Sequence, residues 1–355
     1  MKTRNPGARR YRSPVRAIWI TKHGAPEVLA VRETPDPEPG QGEVRIRVRA
    51  AGLNFAEVMA RQGLYPDAPK PPCVVGYEVA GVVDAFGPGT DGESLAIGQR
   101  VFALVRFGGH ADTVCVPAGQ VLAMPDDLTF EQAAAIPVNY LTAYHMLFRV
   151  AGIRSGDRVL VHMAAGGVGI AVLQLCRTVE GIVTFGTASA AKHQVLREEG
   201  CTHPIDYRTE DYVARVRELT GGTGIDLVLD PLGGRDWKRG LGLLRPVGQL
   251  IAYGFANLSG GERRNPGRLI KQVTGVPILT PLGLMDHNRT VSGVNLGHLW
   301  DRADLLREEL AALVGLWHAG AIKPRIDGVY PFTEAAAAHR RLTERRNVGK
   351  VVLIP

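Results

Sequence analysis

The chain has 355 residues, 45% hydrophobic and 22% charged, which is the balance of a globular protein with room for two cores of ordinary size. Collagen-like, disordered and disulfide-scaffold classes do not fit that balance. The net charge of +7 belongs largely to residues 1–16, where Lys2, Arg4, Arg9, Arg10, Arg12 and Arg16 stand without an acid, so the rest is nearly neutral and shows no general affinity for nucleic acid.

Residues 1–15 are rich in Pro, Gly and Arg and are expected to form a disordered basic tail without an apolar leader core. Cys73, Cys115, Cys176 and Cys201 are scattered and form no Cys-x-x-Cys pair, the pattern of buried thiols in a reducing, cytoplasmic setting. Val159 to Cys176 is uncharged, but His162, Gln174 and the glycines 166, 167 and 169 make it a strand, turn and helix rather than a membrane span.

From Val15 to about Leu122 short strands alternate with turns. Glu43 to Ala50 alternates polar and apolar residues, Val79–Phe86 and Val114–Leu122 are further strands, and Pro35 to Gly42 is a connector. A compact, mostly antiparallel β unit follows from these. Thr129–Arg149 reads as a helix with Thr129 or Asp127 as its cap.

After it the rhythm changes to strand and helix in turn. Val159–Met163, Ile182–Thr187, His203–Asp206, Ile225–Asp230 and Gly248–Tyr253 are predicted strands, with helices between them, and Arg289–Leu296 is a sixth strand. Such alternation dictates an α/β fold with a doubly wound parallel sheet covered on both faces. From Trp300 onward come a helix, a loop, a second helix and the final strand Lys350–Ile354.

Ala164-Ala-Gly-Gly-Val-Gly169 follows the first of these strands and opens a helix. That is where the pyrophosphate of a dinucleotide sits, on backbone N–H groups and the positive helix end. Ala165, Gly166, Gly167, Val168 and Gly169 are therefore candidate cofactor residues. A carboxylate at the end of the second strand would accept the ribose 2′-OH of NAD and repel a 2′-phosphate. Ile182 to Ser189 holds no acid, whereas Ser189, Lys192, Tyr207 and Arg208 offer hydroxyls and cations. The pattern favours NADPH.

Beyond these motifs, the chain from about Arg16 resembles the zinc-free quinone oxidoreductase branch of the medium-chain dehydrogenase/reductase superfamily, on the side of the synaptic-vesicle amine-transport protein homologues. The resemblance is carried by Gly52 to Tyr65, Val138 to Tyr144, Val161 to Gly169, Gly186 to His193, Thr202 to Tyr207, Asp230 to Gly234 and Asn347 to Val352. It implies a GroES-like β domain plus a Rossmann domain. The division expected is 16–138 with 300–355 for the GroES-like catalytic domain, and 139–299 for the Rossmann NADPH-binding domain.

The resemblance also implies a cleft site. Zinc-dependent relatives use Cys, His and Cys where this chain has Asn54, Tyr77 and Asn139, poor ligands beside thiolate and imidazole. Without a Lewis acid the substrate must accept hydride readily, as quinones and α,β-unsaturated carbonyls do. Asn54 and Tyr65 are expected to donate hydrogen bonds to the substrate oxygen, with Tyr140 beside them. Asn139 and Thr142, Tyr253 and Gly254 near the nicotinamide, and Asn347 near the phosphates complete the set. His110, His145 and His162 read as buried, hydrogen-bonded residues, and Glu57 as a structural acceptor.

Between the fifth and sixth parallel strands, basic Gly260 to Lys271 leads into uncharged Gln272 to Met285. It is expected to cover a cleft or dimer edge, with membrane contact the lesser reading, and a homodimer through the sheet edge is expected. Two other functions remain open: an enoyl-thioester reductase, and an NADPH-binding, membrane-associated protein with little turnover.

Overall fold

A computed structural model describes residues 14–90, 95–262 and 264–355. The disordered tail expected over residues 1–15 lies outside the described residues up to residue 13, and Val15 already opens the first strand.

The first part of the chain is β-rich. Its strands are β1 (Val15–Ile20), β2 (Leu29–Thr34), β3 (Glu43–Leu53), β4 (Cys73–Val74), β5 (Glu78–Phe86), β6 (Arg100–Leu104), β7 (Thr113–Pro117) and β8 (Val121–Ala123), with helix α1 (Phe55–Gln62) after β3. The strand expected over Val114–Leu122 is thus two strands. Pro117 cannot donate to a ladder, and a turn at 118–120 containing Gly119 breaks the run. Alternate residues of β3 (Val44, Ile46, Val48) are buried with Val79, Val101 and Val116, as period-two patterning requires. Arg45 departs from that pattern: it is buried, its Nε 2.7 Å from Asp84 Oδ1.

The helical stretch begins where expected. Thr129 accepts a bond from Gln132 N at 3.2 Å and caps α2 (Phe130–Ala133). Pro137 then lacks the N–H a regular helix needs, and the backbone widens into π turns at 136–140 and 145–151, on either side of α3 (Leu141–Tyr144).

The next part is a parallel sheet. It contains β9 (Arg158–Val161), α4 (Gly167–Cys176), β10 (Val183–Ala188), α5 (His193–Glu198), β11 (His203–Asp206), α6 (Tyr212–Leu219), β12 (Ile225–Asp230), α7 (Arg235–Leu241), β13 (Leu244–Ala252), α8 (Pro266–Thr274), α9 (Pro281–His287) and β14 (Thr290–Gly293). The spatial order is β11-β10-β9-β12-β13-β14, all parallel, which is the doubly wound Rossmann order. Both faces are covered, and the central strands β9 and β12 are accordingly largely apolar and buried. Val159, Val161, Leu227 and Leu229 pack on the side of α3 and α4, while Leu160 and Val228 pack with Tyr212 and Val216 of α6. The sixth strand is four residues, shorter than the expected Arg289–Leu296.

The chain then returns through α10 (Ala303–His318), β15 (Ile326–Pro331), α11 (Ala335–Thr343) and β16 (Lys350–Ile354). β16 pairs antiparallel with β3, giving the order β15-β16-β3-β5-β6-β8. This return places the two sheets on either side of one cleft.

Candidate functional site

The glycine turn occupies the head of the parallel sheet. Met163 leaves β9 in the left-handed region (φ 53°), and Gly166 is the N-cap of α4, whose first backbone N–H groups open toward the cleft. A Cβ on Gly167 would fall 1.8 Å from Asn139 Nδ2, and one on Gly169 would fall 2.5 Å from Ala164 O. Both positions therefore require glycine: the first leaves room over the cradle, and the second lets α4 lie on its strand.

Nothing acidic stands at the end of β10. Lys192 turns toward the cleft, its Nζ donating to the carbonyls of Arg345 (2.8 Å) and Asn347 (2.6 Å), which leaves one proton for a ligand. Burial lowers its pKa to about 8, so an arriving dianion finds a cation that gains from a counter-charge. Tyr207 stands at the rim with the Arg208 guanidinium 6.0 Å from its ring centre. Gly349 N donates to Ala165 O at 2.9 Å, tying the segment after α11 to the glycine turn.

Across the cleft, Asn54 ends β3 and caps α1. Its backbone N donates to Glu57 Oε2 (2.9 Å), and its Nδ2 to Glu78 Oε1 (2.9 Å) and Glu57 Oε1 (3.4 Å). Its Oδ1 accepts from Lys350 Nζ at 2.6 Å. Lys350 also pairs closely with Glu78 and reaches Asn139 Oδ1 at 3.4 Å, while Glu78 Oε2 accepts from Val138 N at 2.7 Å. Glu78 and Lys350 are buried, so this is a desolvated ion pair whose lone pairs and protons are met. Glu57, fully buried, is pushed up to about 8 by desolvation, with Lys350 opposing the rise. His110 is pushed down to about 4 by burial and is neutral; its Nε2 lies 3.2 Å from Gly52 O.

A single cleft of about 1150 Å³ joins these parts. Asn54, Tyr65, Asn139, Thr142, Ala165, Gly166, Gly167, Val168, Gly169, Ser189, Lys192, Tyr207, Tyr253, Gly254 and Asn347 all line it. Tyr140 does not, which corrects the expectation for it. It is 2% exposed, and its hydroxyl donates to Gln174 Oε1 at 2.8 Å, inside the packing of α4. Asn54 is corrected in role: both amide hydrogens are engaged by the carboxyl groups of Glu57 and Glu78, so it holds the cleft floor and has no donor free for a substrate oxygen. The remaining walls are largely apolar, including Leu53, Phe55, Met59, Leu64, Leu104 and Leu299.

Residues 40–126 match the alcohol dehydrogenase GroES-like domain model, and residues 199–353 a zinc-binding dehydrogenase model. The chain is 47% identical over 344 residues to the mouse synaptic vesicle membrane protein VAT-1 homolog, covering 96% of this chain and 84% of that one. The chain belongs to the medium-chain dehydrogenase/reductase superfamily, in its VAT-1-like branch. Among solved structures, the Escherichia coli quinone oxidoreductase complexed with NADPH superposes with a TM-score of 0.82 at 30% identity, covering 96% of this chain and all of that one. The CurK enoyl reductase gives 0.82 at 27% identity, with 96% and 99% covered.

Sequence reasoning missed several residues of this medium-chain reductase cleft. Lys350 opens the apolar run Lys350-Val-Val-Leu-Ile, and a lysine on a central strand needs a buried partner, which is the signal that was present. His145 lines the cleft as well as being buried; its Nδ1 lies 3.1 Å from both oxygens of Glu309, which also accepts from Arg149 Nε at 3.2 Å. His162 fits its expected role at Nδ1, 3.1 Å from Thr187 Oγ1, with its ring edge on Tyr212.

Proposed function

We propose that this protein is an NADPH-dependent oxidoreductase that reduces quinone-like or α,β-unsaturated carbonyl compounds without zinc. The observation that carries the reading is the continuity of the cleft. A glycine-turn groove with Lys192 and no acid at its 2′-phosphate end runs into an apolar chamber that Tyr65 lines. Bound NADPH would supply the hydride. The Ala165–Gly169 backbone would hold its pyrophosphate, with Asn347 beside the phosphates, Ser189, Lys192 and Tyr207 its 2′-phosphate, and Asn139, Thr142, Tyr253 and Gly254 the nicotinamide side.

The apolar walls exclude water and align a flat conjugated substrate. Tyr65, whose phenol is kept neutral by burial, donates to the carbonyl oxygen as charge develops there. Asn54, Glu78 and Lys350 keep the floor rigid. The donor set supports the zinc-free reading. Among the described residues no group of three or more His, Cys, Asp and Glu side chains could hold a metal, and the Lys350 ammonium already serves as the cation among Asn54, Glu78 and Asn139.

The test is oxidation of NADPH and NADH with quinones, simple enones and enoyl-thioesters. NADPH-preferring turnover of quinones or enones is the expected result, and preference for NADH overturns it. Turnover confined to thioesters would instead favour the enoyl reductase reading, which the CurK likeness supports.

A second copy of the chain is the proposed partner, beside edge strand β14. There α8, α9 and the loop between them expose Ile270, Val273, Ile278, Leu282 and Met285, an apolar patch of the kind that a partner surface covers. Among the described residues no helix is long and apolar enough to cross a membrane. The proposed location is the cytoplasm.

A further inference from the structure

Tyr77 enters β5 between Gly76 and Glu78, and its ring is fixed on two sides. Tyr65 meets it edge-on, with centroids 6.2 Å apart at 76°, and Phe107 lies 5.4 Å away at 56°. Its backbone carbonyl accepts from Val105 N at 2.8 Å. The residue is only 9% exposed, yet among the described residues its hydroxyl finds no hydrogen-bond partner. An unpaired buried hydroxyl is costly and calls for an explanation.

The neighbouring phenol at the cleft wall is Tyr65. A phenol that donates its proton to a substrate oxygen keeps lone pairs free to accept a bond from elsewhere. We propose that Tyr77 is a positioning residue: its hydroxyl donates to the Tyr65 oxygen and thereby turns the Tyr65 O–H toward the substrate carbonyl. This rests on Tyr65 being the carbonyl donor in the proposed reduction. The pair is a short relay of two neutral donors, with no covalent step.

The surrounding charges fit this use. Tyr65 faces Asp67 and Glu57, which together with burial disfavour its ionisation, and Asn295 and Tyr77, which favour it. Asn295 is itself held, with Gly297 N donating to its Oδ1 at 3.0 Å and its Nδ2 donating to Asp67 at 3.3 Å. Tyr77 faces burial, Glu57, Tyr65, Asp67 and Cys73, all of which keep its own proton in place. The donor that never ionises stands behind the one that must lean toward charge.

The experiment uses the full chain with Tyr77→Phe, Tyr65→Phe and the double variant, reading turnover, NADPH affinity, thermal midpoint and the Tyr65 phenol by 13Cζ-tyrosine NMR. The Y77F variant should keep its NADPH affinity and a thermal midpoint near the parent's, because its ring packing on Tyr65 and Phe107 is retained. Its kcat should fall roughly tenfold, and Tyr65 should titrate roughly one pH unit higher. In the Y65F background, Y77F should add nothing. Turnover and Tyr65 titration both unchanged in Y77F would overturn the proposal. So would a loss of turnover that follows a loss of midpoint and cofactor affinity, since Tyr77 would then be packing alone. If the parent protein reduces no carbonyl compound, the functional reading fails separately, and the Tyr65 titration still decides the pairing.

Discussion

Glu57→Gln isolates a fully buried carboxyl group. Glu57 is fully buried at the third position of α1, accepting from Asn54 N at 2.9 Å, and burial pushes its carboxyl from 4.5 up to about 8. In the unfolded chain the carboxyl has released its proton by pH 5–6, whereas the folded protein holds it to about pH 8. The folded state therefore binds more protons between these values. The contribution of Glu57 to stability is complete below about pH 4.5 and is lost as pH rises through about 8. One proton gives at most about 1.4 kcal/mol per pH unit, so the ceiling is roughly 4–5 kcal/mol; coupling to Lys350 and Glu78 reduces the expected effect to about 2–4 kcal/mol.

Glutamine mimics the protonated acid, keeps the capping acceptor and cannot ionise. In urea denaturation at intervals from pH 5 to pH 9, the E57Q variant should be near the parent at the acid end. It should gain on the parent steadily as pH rises, with a thermal midpoint about 5–10 °C higher at pH 9. Parallel stability curves for the two proteins across that range would refute the reasoning, because Glu57 would then be ionised in both states.

Lys192→Ala should weaken NADPH binding roughly 10- to 100-fold through loss of a charge-assisted bond, while leaving NADH affinity nearly unchanged; calorimetry with both nucleotides reads the ratio. Lys350→Met leaves Glu78 buried without its counter-ion and should cost about 3–5 kcal/mol, seen as a fall of roughly 10 °C in the thermal midpoint. Gly169→Ala sets a methyl 2.5 Å from Ala164 O, so α4 must lift from its strand. NADPH affinity should drop at least about tenfold, with a stability loss of about 1–3 kcal/mol. Leu282→Glu, at a side chain 72% exposed on the apolar face of α9, should convert a dimer to monomer in sedimentation without changing the fold by circular dichroism.

What the chain reveals on reading is what depends on near neighbours. The parallel sheet was legible because strand and helix alternate along the chain, with short apolar runs at residues 159–161 and 227–229 and a glycine turn after the first of them. The lack of an acid after β10 is a local fact and needed no coordinates. The helix start was readable to within Thr129 or Asp127, and the structure places the cap at Thr129, whose partner Gln132 is three residues away. The floor of the cleft was not legible, because Lys350 meets Asn54 across 296 positions and Glu78 across 272. The same holds for Tyr140. Its motif places it beside the site, but the widened turn after Pro137 swings its ring into α4, and only the packed helix decides which way a side chain faces. Glu309, 164 residues from His145, is a third example of a pairing made by tertiary folding alone.

The segment from Arg345 to Lys350 ties the two walls together. Its carbonyls at Arg345 and Asn347 grip Lys192, its Gly349 is stitched to Ala165, and its last residue is the ammonium under the opposite wall. One run of six residues thus touches both walls of the cleft, so a change of contacts at Lys192 and one at the Asn54–Glu78 cluster fall on the same short stretch of backbone.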